Sequence, residues 1–498
     1  MNVGILDLIA YTVPPEWKRE RAALALRRHL YSVMPQAIAA WCRRLGHRVH
    51  YATHYGQADP TRLLPDDLDV VFLSASTQAS ALAYALAKVY RRAGTRTVLG
   101  GPHAKGFAAD ALRFFDVVVG ECDESLVADI LRGHVDPPAF VASARRPTSI
   151  PGVEERLPDL VAAGFRPGRS GAFNIVAVLG SLGCPYTCDF CTEGRSRFVT
   201  LPRDDLAADL RYLARHHPGA VVAYHDPNFA VRFDETMDVI EASGVPAPNR
   251  YVMECSLSVL QPGRLDRLRR TNCVFVAPGI ESWTDHGNKL GAGSRRGRAR
   301  LDHVVVRFEE LHRAVPGLQA NFLFGSDDDA GTGPADATIE FIRRTPFVWP
   351  NVNIPTPYGG TPLFDRYRAE GRILPAMPLA CYCAPYLATT LKHYEPEEYY
   401  GQLLRIHEAS VTWRVLARRL ATRAPAGIRL LHLLLTLSHR GQIAETRRVL
   451  HLLRTDRAFR SFHEGRAVPL PAFYHRRYEQ RLGKYAELIS REERIPLL

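Results

Sequence analysis

The sequence predicts an α/β protein built from a doubly wound N-terminal domain, a partial (β/α)6 barrel and an α-helical C-terminal domain. Three observations predict this fold class. Strand-like and helix-like segments alternate over residues 1–140. Strand-then-helix units then repeat six times within residues 172–384. The remainder, residues 385–498, has helical periodicity and lacks strand signals.

Length and composition set the frame for this prediction. A chain of 498 residues is too long for one ordinary core and suggests about three units. With 46% hydrophobic and 23% charged residues, extensive disorder is excluded. Nine cysteines are too sparse for a disulfide scaffold. The apolar start of the chain is interrupted by Asp7 and does not match a secretory signal, so we expect a cytoplasmic protein.

The N-terminal domain, residues 1–140, is predicted from alternating apolar segments. Its expected strands are 2–7, 47–55, 69–73, 97–100 and 116–119, and its expected helices are 36–45 and 79–93. Gly46 and Gly94 are expected to end the two helices, because glycine readily takes the left-handed conformation found there. A ligand of such a sheet is expected at the carboxyl ends of the strands.

A linker rich in proline, glycine and arginine is expected over 141–171, and the barrel over 172–384. The six predicted barrel strands are 173–179, 220–224, 251–256, 273–278, 318–324 and 351–355. Their carboxyl ends should form the active site.

The helical remainder is strongly basic. Residues 401–498 carry 19 lysines and arginines against 8 acidic residues, which accounts for most of the chain's net charge of +12. A solvated basic surface, an anionic substrate, a nucleic acid and a membrane surface are all compatible with this excess.

Three cysteines, Cys184, Cys188 and Cys191, form a Cys-x3-Cys-x2-Cys motif directly after the first barrel strand. Three thiolates on one loop can bind three irons of a cubane cluster and leave the fourth iron open. A structural zinc site needs a fourth ligand and commonly a second paired-cysteine knuckle. Cys381 and Cys383, one residue apart, match zinc spacing poorly, and redox, hydrogen-donor and structural roles stay open for them. The motif therefore predicts a cluster bound by the first three cysteines.

This motif, with Phe190 before its last cysteine, resembles the signature of the radical S-adenosylmethionine (SAM) enzymes. The resemblance implies a [4Fe-4S] cluster whose open iron binds SAM. It implies that one electron then cleaves SAM to methionine and a 5′-deoxyadenosyl radical. An external one-electron donor such as flavodoxin or ferredoxin is implied as well.

The same resemblance suggests SAM-binding residues after later barrel strands. Asp226, in a Tyr-His-Asp-Pro-Asn-Phe stretch, is a candidate contact to the SAM amino group, or simply a turn-forming residue. Glu281 and Ser282 lie in a Gly-x-Glu-Ser stretch, where the glutamate could equally cap the next helix. Glu254 and Ser256, at the end of the third strand, are expected to face the barrel mouth. Gly359 stands where the family's last loop has proline, which predicts a looser loop.

Ahead of such a barrel, a Gly-Gly-Pro-His loop after the fourth strand resembles the cobalamin-binding domain of the cobalamin-dependent radical SAM enzymes. The candidate cobalamin contacts are small or polar residues after strands three, four and five: Ser74, Ser76, Thr77, Gly100, Gly101, His103, Gly120 and Glu121. The Asp-x-His-x-x-Gly motif is missing, which implies that no histidine from such a motif ligates the cobalt. A domain that has kept the fold and lost the cofactor is the alternative.

The leading functional hypothesis from this resemblance is radical C-methylation of an unactivated carbon, with methylcobalamin as the methyl donor. A radical is required because general acid–base catalysis does not readily activate an sp³ C–H bond. A cyclisation, ring contraction or oxidation with both cofactors is the first alternative, and a cluster-bearing nucleic-acid-binding protein is the second. Small molecules and lipid-like molecules are both open as substrates, and peripheral contact with the inner membrane face through the basic C-terminal region is a further expectation.

Overall fold

The computed structural model describes residues 1–13, 31–194, 196–284, 297–422, 424–466 and 468–498. The strands of these ranges are β1 Asn2–Leu8, β2 Arg48–His54, β3 Val70–Ala75, β4 Arg96–Gly100, β5 Val117–Val119, β6 Ala139–Val141, β7 Ile175–Val178, β8 Ser181–Leu182, β9 Val199–Thr200, β10 Val221–Tyr224, β11 Arg250–Ser256, β12 Cys273–Glu281, β13 Gly317–Leu323 and β14 Val348–Asn353. The α-helices are α1 Val33–Arg44, α2 Ser80–Arg92, α3 Pro102–Gly106, α4 Ala108–Ala111, α5 Glu124–Leu131, α6 Val153–Ala162, α7 Arg203–His216, α8 Phe233–Ala242, α9 Pro262–Arg270, α10 Gly297–Ala314, α11 Gly333–Arg344, α12 Pro362–Ala369, α13 Pro396–Ser410, α14 Trp413–Leu420, α15 Ala426–Thr455, α16 Arg457–His463 and α17 Ala472–Leu482.

The N-terminal domain contains a parallel sheet in the order β2-β1-β3-β4-β5-β6. Alternate residues of β1 face opposite sides: Ile5 packs with α1 and α5, whereas Leu6 packs with α2. The sheet is thus covered on both faces, which confirms the predicted doubly wound domain. Strand order reverses between β1 and β3, so the crevice at their carboxyl ends is the place where such sheets bind ligands.

The second sheet is also parallel, in the order β14-β13-β12-β11-β10-β7, and forms the predicted incomplete barrel. All six predicted strands are present. The last one, β14, begins at Val348, three residues before the predicted start. β14 lies at the sheet edge, where the missing N–H of Pro350 is tolerated.

The segment interpreted as a linker contains regular structure, because the last residue of β6, Val141, and the whole of α6 lie there. The core-facing side of α6 carries buried Arg156 and Asp159, which is why apolar periodicity fades in the sequence. Arg156 donates hydrogen bonds to Gln36 Oε1 (2.9 Å) and to the Ala177 carbonyl (3.1 Å). These bonds connect α1 of the first domain with β7 of the barrel.

The C-terminal region is helical, as predicted. Its last part returns to the N-terminal domain, where Tyr478, Leu482 and Tyr485 share a core with Leu82 and Leu86 of α2. Among the described residues, none of the helices is both long enough and apolar enough to cross a bilayer.

Candidate active site

A cavity of about 440 Å³ lies between the two sheets, within the size range of small-molecule sites. On the N-terminal side it is bordered by the carboxyl ends of β1, β3, β4 and β5. Five predicted contacts line that side: Ser74, Gly100, Gly101, Gly120 and Glu121. The opposite side is lined by residues at the barrel mouth: Leu179, Ser181, Leu182, Gly183, Thr192, Glu193, His225 and Pro227. The cavity thus joins the predicted crevice of the first domain to the predicted active end of the barrel.

Glycines give the N-terminal wall a flat and open edge. A Cβ atom on Gly100 would meet no atom within 4 Å, so it would project into open space. Gly101 has a φ of 92°, and a Cβ atom there would lie 2.9 Å from the Ala75 carbonyl oxygen. Any side chain at these positions would occupy the cavity or strain the loop. This edge suits a flat ring such as a corrin, which needs close approach to the backbone.

Three of the predicted cobalamin contacts do not line the cavity. Ser76 and Thr77 lie where β3 passes into the next turn, and neither contributes to the wall. The fully buried imidazole of His103 points into the domain core, where its Nε2 is 2.6 Å from the hydroxyl of Tyr84. Tyr84 in turn donates to Asp110 (2.7 Å), and burial lowers the pKa of His103 to about 3. The His103 side chain therefore does not line the cavity and instead supports the glycine loop from below.

The cysteine loop follows β8 and turns sharply. Cys184 is buried (8% exposed), whereas Cys188 and Cys191 are half-buried. The Cys191 N–H donates to the Cys188 carbonyl (3.3 Å) and the Gly194 N–H to the Cys191 carbonyl (2.9 Å). A Cβ atom on Gly194 would lie 2.4 Å from the Cys188 carbonyl oxygen, so only glycine permits this turn.

The loop is anchored to the barrel through Asp189. Its backbone carbonyl accepts a hydrogen bond from the Leu363 N–H (2.9 Å), and its carboxylate accepts one from Arg366 (2.9 Å). Both partners lie in α12, which follows the loop of Gly359. That loop is not loose: a Cβ atom on Gly359 would lie 1.9 Å from the Gly106 carbonyl oxygen, so two backbones are in close contact. The absence of proline at this position therefore allows the barrel to approach the N-terminal domain.

The donor set of the cysteine loop fits a cubane cluster. Three thiols within eight residues can each bind a different iron and leave one iron open. Among the described residues, no three His, Cys, Asp or Glu side chains are arranged to hold a single metal ion. Cys381 and Cys383 belong to a different segment, which follows α12. Cys381 is fully buried with a pKa raised to about 12 by burial, and the Cys383 thiol accepts a hydrogen bond from Arg481 (3.8 Å).

Asp226 is placed beside the start of the cysteine loop. Its carboxylate accepts hydrogen bonds from the Gly180 N–H (3.1 Å) and the Ser181 hydroxyl (2.5 Å). Burial raises the pKa of Asp226, and these two bonds oppose the rise. The carboxylate thus fixes the turn that leads from β7 to Cys184, while its neighbours His225 and Pro227 line the cavity.

Glu254 is exposed on the inner face of the barrel. The neighbouring residues Met253 and Cys255 are buried on the helix side, and strand alternation therefore turns Glu254 inward. Tyr224 pairs with Met253, so His225 and Glu254 follow at the same level of adjacent strands. Desolvation by the surrounding barrel raises the pKa of Glu254 and lowers that of His225 to about 4, so the imidazole is neutral at pH 7.

β12 ends at Glu281 in an irregular conformation, and Ser282 follows it. Glu281 has a φ of 62° beside a register shift, and its side chain folds over Gly279. Ser282 is buried, and its hydroxyl donates to Asp329 (3.2 Å). The structure thus gives Ser282 an internal partner, and its assignment as a SAM contact stays a prediction.

Sequence reasoning did not find the charged side chains that connect the two walls. Lys105 and Arg146 both pair with Glu121 at 2.7 Å. Burial alone raises the pKa of Glu121, but these ion pairs outweigh it and hold the pKa below its ordinary value. Single charged residues in loops carry no periodic signal, and only Glu121 was predicted.

A buried carboxylate beneath the cavity gives a testable pH dependence. Asp7 accepts hydrogen bonds from the Ser32 N–H (2.9 Å) and hydroxyl (3.2 Å), and burial raises its pKa to about 6. The pKa of Asp7 is higher in the folded chain than in the unfolded chain. The protein therefore loses stability as the pH rises from the unfolded pKa of this carboxyl group towards about 6. Between pH 5 and pH 8 the free energy of unfolding of the wild type should fall by about 1.4 kcal/mol relative to that of Asp7→Asn. This amount is the free-energy equivalent of one pKa unit. Urea unfolding of both proteins at both pH values measures this difference, and parallel pH dependences would contradict it.

Two proteins of Chlorobaculum tepidum resemble the chain in sequence. Bacteriochlorophyllide d C-12(1)-methyltransferase is 27% identical over 326 residues, which cover 62% of this chain and 68% of that protein. Bacteriochlorophyllide d C-8(2)-methyltransferase is 22% identical over 390 residues, covering 71% and 80% of the two chains. No family model matches the chain.

Two solved structures share its fold. The cobalamin-dependent SAM radical enzyme OxsB with aqua-cobalamin bound aligns with a TM-score of 0.54 at 11% identity, covering 92% of this chain and 74% of OxsB. The radical SAM methyltransferase TsrM from Kitasatospora setae, with tryptophan substrate and a SAM analogue bound, aligns with a TM-score of 0.50 at 14% identity. That alignment covers 74% of this chain and 76% of TsrM.

Proposed function

We propose that this chain, which has the fold of the cobalamin-dependent radical SAM enzymes, is a C-methyltransferase that acts on an unactivated carbon. One observation carries the proposal: the cysteine loop begins and ends on the wall of the cavity that the glycine edge borders. Gly183 precedes Cys184 and Thr192 follows Cys191, and both line the cavity opposite Gly100. The sequence similarity to two methyltransferases supports methyl transfer as the reaction.

When bound, the cluster with SAM supplies a 5′-deoxyadenosyl radical and cobalamin supplies the methyl group. The chain's own residues position these groups and separate them from water. The thiolates of Cys184, Cys188 and Cys191 hold the cluster, and the bonds of Asp226 to Ser181 fix the loop. Gly100 and Gly101 allow the corrin to approach the backbone.

The experiment that tests this function is anaerobic reconstitution with iron, sulfide and hydroxocobalamin, followed by reaction with SAM and titanium(III) citrate. We expect the release of 5′-deoxyadenosine and S-adenosylhomocysteine. When tetrapyrroles, peptides and tryptophan are supplied in turn, we expect the compound that is the substrate to gain one methyl group. A product that lacks the added methyl group would favour cyclisation, ring contraction or oxidation. Release of neither nucleoside would refute the proposed enzyme.

The inner face of the barrel supports a small, hydrogen-bonding substrate rather than a lipid-like one. Asn321 accepts hydrogen bonds from Gln319 (2.8 Å) and Asn351 (3.0 Å), which forms a row of amides across β13 and β14. Glu254 adds a carboxylate on the same face. A lipid chain would leave the Glu254 carboxylate and the amide groups not used within this row without hydrogen-bond partners, at an energetic cost.

The reaction needs single electrons from outside the chain. A flavodoxin or ferredoxin is the proposed donor, because an acidic carrier complements a protein of net charge +12.

The helical C-terminal region is proposed to contact anionic membrane surfaces. Trp413 on α14 is 77% exposed, and Leu430 and Leu437 on α15 are exposed as well. Arginines such as Arg429 and Arg440 lie beside them in the sequence. Exposed apolar side chains next to arginines favour binding at an anionic interface, each basic residue contributing about 1 kcal/mol.

The triple variant Trp413→Ser/Leu430→Gln/Leu437→Gln should therefore lose sedimentation with phosphatidylglycerol-containing vesicles. Val306→Gln, at an apolar position on α10 about as exposed as Leu430, is the control and should bind as the wild type does. Wild-type protein that stays in the supernatant at low salt would contradict this contact.

A further inference from the structure

Four charged side chains form a compact group on the cavity wall, which we call the ion cluster: Lys105, Glu121, Arg146 and Glu193. Arg146 Nη2 lies 2.7 Å from Glu121 and 3.3 Å from Glu193. Lys105 Nζ lies 2.7 Å from Glu121 and 3.9 Å from Glu193. Each cation therefore bridges the same two carboxylates, and the group is electrically balanced.

The two carboxylates belong to different parts of the molecule. Glu121 follows β5 at the glycine-rich edge, where cobalamin is proposed to bind. Glu193 lies two residues after Cys191, within the turn that Gly194 closes. The ion cluster is thus a direct contact between the two proposed cofactor sites.

The position of Arg146 depends on the cysteine loop. Its side chain is only 6% exposed, so its charge relies on these carboxylates more than a surface arginine would. A Cβ atom on Gly183 would lie 2.6 Å from Arg146 Nη1, so the residue before Cys184 must be glycine for the guanidinium to fit. A change in the conformation of the cysteine loop therefore changes the surroundings of Arg146. Through Arg146 it also changes the surroundings of Glu121.

From this arrangement we infer that the ion cluster couples the two cofactor sites, so that an assembled iron–sulfur cluster raises the affinity for cobalamin and the reverse. The inference rests on the proposed function, because it requires both cofactors. Ligation through Cys191 would restrain Glu193, two residues further along the turn, and the two cations would then hold Glu121 and the cavity wall in the binding arrangement. Coupling between sites is reciprocal and typically amounts to about 5–150-fold in affinity.

The test measures hydroxocobalamin affinity by equilibrium dialysis, on reconstituted protein and on protein stripped of iron. For the wild type we expect binding about tenfold tighter with the iron–sulfur cluster present, within the range of such coupling. In Arg146→Gln the affinities with and without the iron–sulfur cluster should become equal, while iron content stays at the wild-type level. Lys105→Gln removes a half-buried cation and should lower only in part the ratio of the affinities with and without the iron–sulfur cluster. This variant replaces Arg146→Gln in the test if Arg146→Gln folds poorly. Arg447→Gln, which breaks a surface pair with Glu408, is the matched control and should keep the full ratio.

The outcomes separate this inference from the proposed function. Equal affinity of the wild type with and without the iron–sulfur cluster would overturn the coupling and leave the proposed function intact. The coupling would also be overturned if both Arg146→Gln and Lys105→Gln kept the wild-type ratio of the affinities with and without the iron–sulfur cluster. Failure of the wild type to bind hydroxocobalamin under either condition would refute the proposed function itself, and the coupling with it.

Discussion

Cys188→Ser is expected to reduce 5′-deoxyadenosine formation to the background level. A serine hydroxyl does not supply the thiolate that an iron–sulfur cluster requires, so the iron bound after reconstitution should fall sharply. The surrounding loop is held by Asp189 contacts with Leu363 and Arg366, which the substitution leaves in place. The variant should therefore fold normally, and the loss should be specific to the cluster. Iron analysis and chromatography of the nucleoside products measure both effects.

Cys383→Ser is the matched control for this variant. Cys383 is also half-buried and outside any disulfide, but it lies at the end of the barrel and contacts Arg481. Its replacement should leave iron content and 5′-deoxyadenosine formation in the absence of substrate unchanged. Equal iron in the wild type and in Cys188→Ser would show that the cluster assignment is wrong.

Gly100→Leu is expected to weaken cobalamin binding by about 100-fold. A side chain on Gly100 would extend into open space within the cavity, so it would meet the ligand before it met the protein. Forcing such a group against a bound ring costs about 1–3 kcal/mol, and each 1.4 kcal/mol is a factor of ten in affinity. The thermal midpoint of the unliganded protein should hardly change, because no atom beyond the adjoining residues lies within 4 Å of the added Cβ atom. Titration with hydroxocobalamin, followed by absorbance, measures the affinity.

Gly171→Leu provides the comparison, since a Cβ atom there also meets no atom within 4 Å but Gly171 does not line the cavity. It should bind cobalamin with wild-type affinity. If Gly100→Leu and Gly171→Leu bind equally well, cobalamin does not approach the glycine edge.

The architecture was predictable because its main signals are local. Buried strands such as β3 and β11 appear as apolar or alternating segments, and glycines mark the ends of α1 and α2. The fold implied by the resemblance to the cobalamin-dependent radical SAM enzymes is confirmed by the alignments with OxsB and TsrM. The resemblance rested on the spacing of Cys184, Cys188 and Cys191, which is also a local signal.

The remaining features depend on contacts between distant residues. The helix α6 was missed because its buried face carries Arg156 and Asp159, whose partners lie in other elements. The inward turn of His103 depends on Tyr84, nineteen residues earlier in the sequence. The ion cluster joins Lys105 to Glu193 across two domains, and no local pattern reports such a pairing.

The central claim is that both cofactors occupy one cavity, and electron paramagnetic resonance tests it most directly. A sample holding cob(II)alamin and the reduced iron–sulfur cluster contains two unpaired spins whose dipolar interaction falls steeply with distance. The structure predicts that the cob(II)alamin signal relaxes faster when the cluster is reduced than when it is oxidised. Relaxation that is identical in the two states, with both cofactors bound, would contradict a shared cavity.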